Sequence, residues 1–218
     1  LPRSGKSTLF NAVTKGNVNV ATYSNKPNIG VTKVPDDRLQ VLAAMYNPKK
    51  VVHAEVTYTE VPPPPEGFGK TRGIGGEYLN ALQSSDALLI VLRSFDEPSV
   101  AHIDETVDAR RDLQNMLMEL MFSDIGILER RISRIESSFR GLKSQEKDLL
   151  VREQHFLEKL KSNLEEGISL RDQQITSDES IQLSGFGFLS MKPIIAVINL
   201  GEDQLADSDT FESSLSAE

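Results

Sequence analysis

Two uninterrupted apolar runs, "DALLIVLRSF" at 86–95 and "KPIIAVINL" at 192–200, set the tightest limit on how this chain can fold. A strand with one face in water alternates polar and apolar residues, whereas a strand covered on both faces reads as a continuous apolar run. Both runs have strand length, and helical patterns lie before and between them. Strands separated by helices predict a parallel α/β sheet. Further upstream, "VVHAEVTYTEV" at 51–61 alternates with β-branched residues and reads as a strand that Pro62 to Pro65 bring to an end. A loop rich in Asn, Gly and Pro leads into a short strand near Val31 to Val34. Three helices complete this part: "GKSTLFNAVTK", "DDRLQVLAAMYNP" with an Asp36 or Asp37 cap and a Pro48 stop, and "EYLNALQSS" after the glycine-studded "EGFGKTRGIGG".

Between the two apolar runs the periodicity changes. Ile125, Leu128, Ile132, Ile135, Phe139 and Leu142 repeat at alternating three- and four-residue intervals, the mark of a coiled-coil seam. "RGLKSQEKD" reads as a tip, and Leu149/Leu150, Phe156/Leu157, Leu160 and Leu164 form the return stripe. The hairpin could pack on the sheet or project from it. Dense charge in "ERRISRIES" and "EKLKSNLEEG" favours projection. Gly126 costs roughly 1 kcal/mol inside a helix and is expected to mark where the first helix begins.

Composition narrows the function. The 218 residues carry 24 Lys and Arg against 32 Asp and Glu, a net charge of −8. That argues against coating nucleic acid by charge, and no DNA partner is expected. The absence of cysteine excludes disulfides and thiolate metal sites. His53, His102 and His155 show no ligand spacing. No apolar run reaches membrane-spanning length, so no membrane partner is expected and the cytoplasm is the expected compartment. Because the text opens inside a motif and closes on "FESSLSAE", a longer protein is expected at both ends.

That opening motif is "LPRSGKST". A phosphate loop closes successive backbone N–H groups around a β-phosphate at a helix N-terminus. Arg3, Ser4 and Gly5 would supply the cradle, with Gly5 admitting the phosphates where a Cβ would clash. Lys6, the one catalytic candidate, would reach the β- and γ-oxygens, Ser7 would ligate Mg²⁺ and Thr8 would cover the α-phosphate. A bare G-K-[ST] arises by chance in roughly one chain in ten of this length. The helix pattern directly after it and the buried strands later strengthen the reading. In a guanine-nucleotide-type fold, an acidic residue at a strand end supports the metal, and a base-reading N-x-x-D follows a later strand. Glu60 and "NLGE" occupy those places, giving Glu60 as a metal candidate and Asn199, Leu200 and Glu202 as base candidates. Leu200 replaces the usual Lys and Glu202 the usual Asp, and the longer carboxylate should be misplaced for guanine.

"GKSTLFNAVT", "KPNIGVTKVPDDRL", "NPKKVVHAEVTY", "SDALLIVLRSFDEPSVAHIDETVDARRDL" and "KPIIAVINLGED" are similar, in order, to successive blocks of the YchF/Obg-like ATPase family, within the translation-factor-related P-loop GTPases. The resemblance implies an α/β P-loop NTPase fold, G-domain-like, with a mostly parallel sheet and an inserted antiparallel coiled-coil hairpin. It places the nucleotide-binding domain at 1–107 and 185–218, the helical insertion at 108–184, and a C-terminal TGS domain outside this chain. It also implies Mg²⁺, ATP preferred over GTP as substrate, and association with the ribosome. "LSAE" resembles the family's base-contacting loop and adds Ser216 and Ala217; Ser24 is the nearest effector-loop hydroxyl by spacing from "PNIG" and joins Ser7 and Glu60 as a metal candidate. One block departs from the pattern. The family has D-x-A-G where this chain reads "EVPP", so Pro63 stands where a Gly N–H meets the γ-phosphate, and proline has no N–H. No Gln follows to position water. Slow hydrolysis is therefore expected, and the alternative is a nucleotide-binding adaptor that docks a partner through its coiled coil.

Overall fold

The computed structural model describes residues 3–16, 27–62, 76–97, 106–139 and 144–216. The chain divides into two compact units, Leu1–Pro63 and Pro64–Glu218.

The first unit holds α1 (Lys6–Thr14), β1 (Asn28–Lys33), α2 (Asp37–Tyr46) and β2 (Glu55–Glu60). β1 and β2 pair antiparallel, from Asn28 opposite Glu60 to Lys33 opposite Glu55. The α1 helix lies close against β1. Thr32 Oγ1 donates to the Val13 carbonyl at 2.7 Å. At Gly30 a Cβ would stand 2.5 Å from Thr14 Cγ2 and 3.1 Å from Phe10 Cζ, so only a glycine lets helix and strand approach this far. Phe10 supplies the buried apolar contact of the helix. Asp36 caps α2 by accepting from Arg38 N at 3.0 Å, and Asn47 ends it in the left-handed region at φ 42°, directly before Pro48.

The second unit is built on β3 (Leu88–Arg93) and β4 (Ile194–Asn199), which pair in parallel, Leu88 opposite Ile194 and Arg93 opposite Asn199. Among the described residues the expected mostly parallel sheet is therefore two separate two-stranded sheets, one of them antiparallel. The expected burial on both faces holds for most of β3, where Leu89 is nonetheless 41% exposed, and fails for β4, whose Ile195 is 57% exposed.

α3 (Gly76–Gln83) and the first half of α4 (Ala109–Ser138) cover β3 through a cluster of Leu88, Leu120 and Leu189 with Tyr78, Leu79 and Leu82 around it. The second half of α4 pairs with α5 (Ser144–Glu165). Their seam buries Leu128, Ile135, Leu157, Leu160 and Leu164, with Ile125, Ile132, Phe139, Leu150 and Phe156 packed against them. The pairs Arg131–Glu153 and Glu129–Lys161 set the helices antiparallel, since moving back along α4 means moving forward along α5. The expected stripe thus forms a helical hairpin, with two corrections. Gly126 lies inside α4, which begins at Ala109 after the Asp108 cap, and Leu149 is exposed. Leu142 lies outside the described residues.

Asp124, in the middle of α4, fastens the hairpin to the sheet. Its carboxylate is fully buried and accepts from Leu189 N at 2.8 Å and Ser190 N at 2.7 Å, just ahead of β4. Lys192 completes the junction by donating to the Gln83 carbonyl at 2.9 Å and to that of Ser85. Burial pushes Asp124 up to about 6, against the two backbone donors, the Ser190 hydroxyl and the Lys192 charge. α6 (Ser177–Leu183) begins in a capping box between Thr176 and Glu179. After β4 a short turn of 3₁₀-helix leads to α7 (Ser208–Ser216).

Candidate functional site

The site in the first unit begins where the chain enters α1. Arg3 and Gly5, at φ 54° and 90°, both take the left-handed conformation on either side of buried Ser4. Left-handed residues in a short loop turn consecutive amides toward one concave side, which suits an anion. The helix that follows has no side-chain cap and no acidic residue in its first turn, so its N-terminal amides and dipole are not answered by the helix's own side chains.

Lys6 and Ser7 are the first residues of this helix, and Glu60 reaches Ser7 from the end of β2. The Ser7 hydroxyl donates to Glu60 Oε1, and Asn28 Nδ2 donates to Glu60 Oε2 at 2.8 Å. Burial pushes the Lys6 ammonium below its ordinary value, and the Glu60 charge pulls it part of the way back. A desolvated ammonium in the field of one carboxylate, with no ion pair to it, suits an anion, and the oxygens of a triphosphate supply one. The structure therefore brings together three residues expected from sequence: Lys6, Ser7 and Glu60. Thr8 is exposed on the same first turn.

The donor set suits Mg²⁺. One hydroxyl and one carboxylate, both hard oxygen ligands on different elements, leave room for waters and phosphate oxygens, the way Mg²⁺ is usually held. No cluster of three or more acidic or histidine side chains exists among the described residues to offer an all-protein site.

The base candidates lie in the second unit. Asn199 is the last residue of β4 and Ser94 N donates to its carbonyl at 2.9 Å. Leu200 is half-buried and Glu202 exposed on the turn that follows. Gln204 organises that turn, a role its sequence position gave no sign of. Its Oε1 accepts from Gly201 N at 2.8 Å while its Nε2 donates to the Ser94 carbonyl at 3.0 Å, tying the loops after β3 and β4 together. Ser216 ends α7. Ser24, Pro63 and Ala217 lie outside the described residues.

Comparison with known proteins adds an independent line. No family model matches the chain. The ribosome-binding ATPase YchF of Bacillus subtilis is 35% identical over 216 residues, covering 98% of this chain and 58% of the relative. That of Haemophilus ducreyi is 32% identical over 211 residues, covering 95% and 57%. Obg-like ATPase 1 of Oryza sativa subsp. indica is 33% identical over 205 residues, covering 93% and 51%. The chain is similar to YchF/Obg-like ATPases over nearly its whole length. A solved structure described as the YchF GTPase of Schizosaccharomyces pombe matches with a TM-score of 0.75 at 27% identity, covering 98% of this chain and 59% of that one. The P-loop NTPase fold expected from the motifs is thus supported by sequence and by shape. The chain spans little more than half the length of the curated relatives it matches, and their activities are named for whole proteins. No helix among the described residues is long and apolar enough to cross a membrane.

Proposed function

We propose that this chain is the nucleotide-binding part of a YchF-type P-loop ATPase or GTPase that hydrolyses its triphosphate slowly and works with the ribosome in the cytoplasm. The observation that carries the reading is the hydrogen bond from Ser7 to Glu60 at the N-terminal end of α1, with the desolvated Lys6 ammonium in the field of the Glu60 charge. Relatives named ribosome-binding ATPase support the activity and the partner.

In this reading the nucleotide-binding domain is 1–107 and 185–218, and 108–184 is its helical insertion. Amides of Arg3, Ser4 and Gly5 cradle the phosphates, and Lys6 offsets the charge that gathers on the transferring phosphoryl group as water attacks in line. Ser7 and Glu60, with Ser24 from the effector loop, hold Mg²⁺, which supplies Lewis-acid compensation of the β- and γ-oxygens when bound. Asn199, Leu200, Glu202, Ser216 and Ala217 meet the base, and Leu200 and Glu202 in place of Lys and Asp favour adenine. Pro63 withholds an N–H from the γ-phosphate, and no Gln follows to orient water, so turnover is slow. The same prolines favour the second reading, an adaptor that binds nucleotide, barely hydrolyses it and docks its partner through the α4–α5 hairpin.

Phosphate release by the full-length protein, with Lys6→Ala as control, separates the two. Release above the control establishes the hydrolase; release equal to it leaves the adaptor.

A further inference from the structure

Glu60 raises a problem that its neighbours answer. A glutamate in place of aspartate carries one more rotatable bond, so its carboxylate is harder to hold at a fixed point. Here both of its oxygens are engaged. Oε1 accepts the Ser7 hydroxyl, and Oε2 accepts Asn28 Nδ2 at 2.8 Å. Asn28 is not placed by accident. It sits directly opposite Glu60 at the end of the β1–β2 ladder, where cross-strand side chains lie next to each other. The strand that carries it is locked to α1, which carries Ser7, by the Thr32 bond to Val13 and by the close approach at Gly30. Three elements thus fix three side chains against one another.

We propose that Asn28 is a positioning residue that holds the Glu60 carboxylate beside Ser7 for the metal of the nucleotide site, an inference that rests on the proposed nucleotide-binding function. The residue type matters. A neutral amide donates to the carboxylate without adding charge beside Lys6, whereas an aspartate would set two like charges together. Outer partners of this kind fix a ligand's orientation, and their removal typically weakens metal binding roughly 10- to 100-fold.

The test follows the binding of a fluorescent ATP analogue to the full-length protein as Mg²⁺ is added, and separately in EDTA. Asn28→Ala should raise the Mg²⁺ concentration at half-effect about tenfold while leaving binding in EDTA unchanged. In a Glu60→Gln background the same substitution should add little, because the charge it positions is gone. An unchanged Mg²⁺ midpoint, or an equal further loss in the Glu60→Gln background, overturns the assignment. Thermal melting checks that each variant is folded; if Asn28→Ala is not, Asn28→Ser, too short to reach Glu60, should show the same shift. Wild-type protein that binds the analogue with no response to Mg²⁺ overturns both this assignment and the proposed metal site, whereas a normal response that Asn28 variants do not alter overturns the assignment alone.

Discussion

Replacing Asp124 with alanine should destabilise the protein by an amount that shrinks as pH rises. The carboxylate is fully buried and accepts two backbone N–H groups, from Leu189 and Ser190. A buried N–H left without a partner costs roughly 1–3 kcal/mol, so losing both costs roughly 2–6 kcal/mol. Against this stands the burial of the charge itself, which lifts the group from 3.8 to about 6. That difference corresponds to about 3 kcal/mol between its protonated and charged forms. Because the folded value lies above the unfolded one, the extra stability is fully present below pH 3.8 and is lost as pH rises through about 6. The alanine variant has no such group to titrate. Urea unfolding of both proteins at several pH values from about 4 to about 7 should therefore show the wild-type advantage falling by up to about 3 kcal/mol. Acid effects from other carboxylates cancel in the difference. A gap that stays constant, or widens toward neutral pH, would refute the view that desolvation dominates at Asp124 and that the Lys192 charge does not overcome it.

Two packing predictions follow from the same structure. Gly30→Ala sets a methyl group 2.5 Å from Thr14 Cγ2 and should cost about 1–3 kcal/mol, read as a lower urea midpoint. Leu128→Ala leaves a cavity in the α4–α5 seam, where Leu128 is fully buried, and should cost about 2–5 kcal/mol in the same measurement.

What could be read from the residues was mostly local. "SGKST" announces its loop because the cradle, the ammonium and the metal hydroxyl are neighbours in the chain. Glu60 stood out because a β-branched strand ends there against prolines. The hairpin seam showed itself through its three- and four-residue spacing. Contacts between distant segments stayed hidden. Nothing in β1 or β2 announces that they pair antiparallel, so Asn28 gave no sign that it would face Glu60. Asp124 interrupts an apolar stretch, "MFSDIGIL", which is a signal of a buried polar role, but its partners are backbone amides 65 and 66 residues away. Gly126 misled because a helix penalty of roughly 1 kcal/mol is small beside the burial of Leu120 and Leu128 on either side of it. The first half of α4 lies inside the 108–184 helical insertion that the family resemblance implies, but it packs on β3 and α3 rather than along the seam, and so lacks the seam's period.

Calorimetric titration of the full-length protein with ATP and with GTP, each with and without Mg²⁺, probes the Lys6–Ser7–Glu60 site most directly. Saturable heat with ATP that strengthens on adding Mg²⁺, and that Lys6→Ala abolishes, is the expected result. No heat from either triphosphate, or binding that Lys6→Ala leaves intact, would contradict it.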